Sequence, residues 1–69
     1  MTELDKDVIL ALADNRMNVS NAAYALGLHR NSVIYHIGRI YQKTGLDAQD
    51  FHDLCKLYEM VITERNNNG

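Results

Sequence analysis

The sequence predicts an all-α fold, a small four-helix domain containing a helix-turn-helix, and three observations carry that expectation. There is no proline, and two of the four glycines, Gly27 and Gly45, each close an apolar-periodic run and are followed by leucine, the pattern of a helix end. Apolar residues recur at spacings of three and four rather than two. The 69 residues are 46% hydrophobic, enough for one compact core. A chain of this size buries only about 60% of its unfolded surface, which argues against a deep substrate pocket.

Taken in order, Thr2-Glu3-Leu4-Asp5 reads as a capping box, so helix one runs from there to about Asp14. Leu4, Val8, Ala11 and Leu12 share one face, but Ile9, Leu10 and Ala13 make residues 8–13 apolar almost all round. Such a segment is covered on more than one side, either by the other helices or by a second subunit. Asn18, or alternatively Ser20, caps helix two, whose inward face is Val19, Ala22, Ala23 and Leu26. Gly27 supplies the turn through a positive φ, and Leu28 returns to the core. Helix three follows from about Arg30, with His29 at its entry. Val33, Ile37 and Ile40 point inward, while Asn31, Tyr35, Gly38, Arg39 and Gln42 face out, with Ile34 and Arg30 at one edge.

Thr44-Gly45-Leu46 ends that helix, and Asp50 caps helix four. The inward stripe expected of helix four is Phe51, Leu54, Cys55, Tyr58, Val61 and Ile62. Leu57 and Met60 lie off it, at the core edge or facing a partner. Tyr24, Tyr41 and Tyr58 are expected to be core or boundary aromatics. The domain is expected over residues 1–65, with the helix-turn-helix proper at 18–45 and a disordered tail at 66–69.

The net charge of −2 argues at first against nucleic acid, but its distribution reverses the argument. Glu3, Asp5, Asp7 and Asp14 stand against Lys6 at one end, and Asp47, Asp50, Asp53, Glu59 and Glu64 against Lys56 and Arg65 at the other. Between Asp14 and Asp47 there is no acid, only Arg16, Arg30, Arg39 and Lys43, with His29 and His36 beside them. A positive centre between negative ends suits an element that faces phosphates.

One cysteine allows no internal disulfide and suits a reducing compartment. No apolar run approaches the ~18 residues that span a bilayer, and the N-terminus lacks the basic start of a signal peptide. The expectation is a soluble, cytoplasmic protein with no membrane contact. His52 and Cys55 have metal-ligand spacing, but two ligands are not a site, so a buried Cys55 and an exposed His52 are expected instead. His29 and His36 suit phosphate contact or solvation better than metal. No oxyanion site or pocket serves a Cys-His nucleophile, so no enzyme, metal or cofactor is expected.

The stretch from Val19 to Leu46 resembles the C-terminal helix-turn-helix domain of PucR/CdaR-type bacterial regulators, those of purine catabolism and sugar-diacid use. His29-Arg30-Asn31-Ser32-Val33, then Tyr35, Arg39-Ile40 and Thr44-Gly45-Leu46, carry the resemblance. It is similar also to the helix-turn-helix of the factor for inversion stimulation. The resemblance implies a DNA-binding domain, often dimeric, whose helix three enters the major groove. It covers only the DNA-binding module and carries over no ligand-binding role. Members commonly place arginines where this chain has Ile34, His36 and Gly38, which lowers the affinity expected for DNA.

On this basis Arg30, Arg39, Lys43, Arg16 and His29 are expected to contact phosphates of double-stranded DNA, and Asn31, Ser32, Ile34 and Tyr35 to approach base edges. A homodimer is expected through helices one and four, with Ile9 or Leu10 of the segment 8–13 and Leu57 with Met60 as its apolar contacts. The alternative keeps the fold as a protein-interaction module that binds a larger regulator through Leu10, Ile34, Leu57 or Met60.

Overall fold

The structure, a computed structural model, describes residues 1–67. Four helices follow in order: α1 (Glu3–Asp14), α2 (Val19–Leu26), α3 (Arg30–Thr44) and α4 (Phe51–Asn66). They pack into a body of 30 × 24 × 20 Å. Helix α1 is the hub, touching α2, α3 and α4. Helices α2 and α3 also touch each other, whereas α4 rests on α1 alone.

Each helix begins where a side chain satisfies an otherwise orphaned amide. The Asp5 amide donates to Thr2 Oγ1 and the Thr2 amide to Asp5 Oδ2, completing the capping box. The Asn21 amide donates to Asn18 Oδ1 at α2, and the Asp53 amide to Asp50 Oδ2 at α4. Gly27 (φ 69°) and Gly45 (φ 74°) end α2 and α3 in the left-handed region that glycine enters without a Cβ penalty. The α1–α2 link reaches the same region without glycine, at Arg16 (φ 57°) and Met17 (φ 62°). That costs on the order of 1–2 kcal/mol per residue. It is held by the Met17 amide donating to Leu12 O and by the Met17 side chain packing on the core.

The core joins Val8, Ile9, Ala11 and Leu12 of α1 to Ala22 and Ala23 of α2, Val33, Ile37 and Ile40 of α3, and Leu54, Leu57 and Val61 of α4. Ala22 and Ala23 let α2 approach closely, as their size predicts. Most of the apolar girdle of α1 is covered within the molecule: Val8, Ile9, Ala11 and Leu12 are buried and Leu10 is half-buried, while Ala13 and Leu4 reach the surface.

Helix α4 departs from expectation. Leu57 is fully buried, and Phe51 (62% exposed), Cys55 and Tyr58 face outward. A helix that packs against a single neighbour buries one narrow stripe, here Leu54, Leu57 and Val61. The broader stripe read from the sequence would need a second covering helix. Tyr24 and Tyr41 are also exposed rather than core. The tail expected at 66–69 is helical at Asn66, and the Asn67 amide closes the last turn on Thr63 O; residues 68 and 69 lie outside the described residues.

Candidate nucleic-acid interface

The outward face of α3 gathers most of the predicted contacts. His29, Arg30, Asn31, Ile34, Tyr35 and Lys43 are exposed, and Ser32 is half-buried with its amide bonded to His29 O. His29 itself caps the helix, its Nδ1 accepting from the Asn31 amide at 3.1 Å. A ring nitrogen that accepts carries no proton, so the other, Nε2, holds it and can donate outward beside the first turn. Arg30 and Lys43 enter no ion pair among the described residues.

Two of the helix-three cations are engaged inward. Asp5 is fully buried, and His36 Nδ1 lies 2.6 Å from its Oδ1, with Arg39 Nε 3.6 Å from the same oxygen. Arg39 Nε is buried without a hydrogen-bond partner, so its compensation is the charge of Asp5 rather than a formed bond. Burial pushes the Asp5 carboxyl up, but the bonds from His36 and Thr2 and the charge of Arg39 outweigh it and hold the group below the usual carboxylate range. The Tyr35 phenol first, then Asp5, keep Arg39 firmly protonated, and its guanidinium lies 5.9 Å from the Tyr35 ring centre. His36 is therefore neither solvated nor aimed at phosphate, and Arg39 is half-buried rather than wholly outward. Sequence reasoning missed Asp5 as the anchor of α3 because a carboxylate in a capping box already has a local explanation.

Arg16 stands apart from the α3 group. With Ala13, Asp14 and Met17 it lines one wall of an apolar groove, about 440 Å³ in volume, whose other wall is Phe51, Leu54, Cys55 and Tyr58 of α4. The acids that dominate the net charge are elsewhere. Lys6 pairs with Glu64 and Glu3, and Arg65 with Glu3 and Asp7, so the seam between α1 and the end of α4 sets two cations against three acids and answers most of its own charge. Among the described residues, no three His, Cys, Asp or Glu side chains are placed to hold a metal ion, and no helix is long and apolar enough to cross a membrane.

A short helix, a glycine turn and a longer helix with an acid-free outer face form the arrangement that inserts its second helix into a DNA groove. The chain matches no curated protein and no solved structure. A sequence model of the PucR C-terminal helix-turn-helix domain matches residues 7–61, from the second turn of α1 to within five residues of the end of α4. The chain belongs to the family of PucR C-terminal helix-turn-helix domains.

Proposed function

We propose that this domain binds double-stranded DNA in a sequence-dependent way through α3 and serves transcriptional regulation. The observation that carries the reading is the outer face of α3. Arg30, Lys43 and the His29 Nε2–H are available there with no partner among the described residues, whereas most of the acids are bound up in the α1–α4 seam or in helix caps. Arg30, Lys43 and His29 contact phosphates, and Asn31, Ser32, Ile34 and Tyr35 approach the bases. Arg39 contributes by holding α3 on Asp5, and by its remaining exposed edge. With DNA as partner, the working compartment is the cytoplasm.

One reading helix makes few contacts, so the domain acts as a two-fold dimer, with reading helices about 34 Å apart on a palindromic site. The expected contacts change, because Leu57 is core. The groove walled by Met17, Phe51, Cys55 and Tyr58 is the apolar surface available to a second copy. Asp14 and Arg16 on one wall give it both charge signs, which a two-fold axis pairs across the interface.

Fluorescence anisotropy with random-sequence duplex at two salt concentrations tests the DNA reading. Affinity should fall steeply with salt. No binding at low salt overturns that reading and leaves the groove as the surface of a protein-interaction module. Sedimentation tests the dimer, which Phe51→Glu with Tyr58→Glu should convert to a folded monomer.

A further inference from the structure

Resting on the DNA reading, we infer that α3 selects A·T base pairs by seating thymine 5-methyl groups in an apolar notch formed by Ile34 and Gly38. Three features of the helix converge on this. Ile34 is 41% exposed and is the one aliphatic side chain that α3 turns outward, since Val33, Ile37 and Ile40 are all core. One turn further on, Gly38 sits in the helix interior, where glycine costs about 1 kcal/mol relative to alanine.

Neither backbone geometry nor packing explains that glycine. Its φ is not positive, and beyond the adjoining helix backbone a Cβ added there would meet no atom of the described residues within 4 Å. The bare backbone beside Ile34 leaves room for something outside the molecule to approach the helix.

The third feature is what the middle of α3 lacks. Bidentate recognition of guanine O6 and N7 requires an outward guanidinium or ammonium. His36 is turned onto the buried Asp5 and Arg39 is held to it through Nε, so the cations free of any ion pair on α3 among the described residues are Arg30 in the first turn and Lys43 in the last. Beside Arg30 the first turn offers Asn31, and the central turns offer Ile34, Tyr35 and the Gly38 backbone. In the major groove the thymine methyl is the apolar group a base pair presents, and the Asn amide matches adenine N6 and N7. Asn31 and Ile34 are three residues apart on one helix face, so they reach neighbouring base pairs.

The test uses a duplex recovered by the protein from a random-sequence pool, with each thymine replaced in turn by deoxyuridine, which removes a single methyl. At one or two positions the parent should bind about fivefold more weakly, as loss of one buried methyl implies. Ile34→Ala should be indifferent to the same replacements. Gly38→Ala should raise Tm yet weaken binding to the recovered duplex about tenfold, because its added methyl lies where the base must come. Deoxyuridine tolerated at every position, or Gly38→Ala binding as well as the parent, overturns the inference while leaving DNA binding intact. Recovery of no duplex at all removes the DNA reading itself and this inference with it.

Discussion

The two sides of this domain handle charge in opposite ways. Along the α1–α4 seam every cation is answered: Lys6 lies between Glu3 and Glu64, and Arg65 between Glu3 and Asp7. On the α2–α3 side, Arg30 and Lys43 find no acid among the described residues. The difference teaches that net charge is a poor guide to partners in a small domain. Acids that are paired with neighbouring cations contribute little to the outer field, while unanswered cations along one helix shape what a phosphate meets there. Arg39 belongs structurally to the first kind although its sequence position suggests the second.

The sharpest challenge to this contrast is within α4. Leu57→Ala should cost about 3 kcal/mol, the range for removing a buried leucine side chain, and chemical denaturation measures it. Phe51→Ala, six residues earlier on the exposed face, should cost well under half as much. Equal losses would mean that the groove is part of the core and not a surface.

Next in size is Asp5, the acid that crosses from one side to the other. Asp5→Ala leaves His36 and Arg39 facing each other without their carboxylate, and should cost about 3 kcal/mol in thermal or denaturant unfolding. The pH dependence has a definite sign. A carboxyl whose folded pKa is depressed contributes stability above its unfolded value, near 4, and loses it as pH falls through the folded value. The parent should therefore lose stability as pH is lowered below about 4, by more than Asp5→Ala does. Parallel acid profiles for the two proteins would show that Asp5 does not hold α3.

A smaller effect sharpens the comparison on the other side. Arg30→Ala and Lys43→Ala should each flatten the slope of log affinity against log salt by roughly one phosphate's worth, without altering Tm by more than a degree or two. Lys56→Ala, which removes the same charge from α4, should leave the slope unchanged. A common response from all three would make the interaction one of overall charge rather than of a face.

The smallest effect is expected at the seam. Arg65 is partly exposed and its partners Glu3 and Asp7 more so, and exposed ion pairs are worth about 0–1 kcal/mol after screening. Arg65→Ala should lower stability by less than 1 kcal/mol at low salt and by nothing measurable in high salt. Its DNA binding should match the parent. A larger loss would show that the seam fastens α4 rather than merely balancing charge.

The local elements were determined by the sequence itself. Thr2, Asn18 and Asp50 cap their helices, Gly27 and Gly45 end theirs, and Val33, Ile37 and Ile40 face inward, because each of these follows from backbone sterics, orphaned amides or a 3.6-residue period within one segment. So, too, was the acid-free stretch between Asp14 and Asp47. What only the tertiary structure decided is which amphipathic faces find a neighbour. Helix α4 has six apolar positions that fit one broad stripe, yet it meets only α1, so Leu57 is core and Phe51, Cys55 and Tyr58 are not. Likewise, nothing local sets Asp5 against His36 and Arg39, which are 31 and 34 residues away along the chain. Periodicity marks a face as apolar or charged, but how much of it is covered, and by which partner, depends on helices that meet only when the chain is folded.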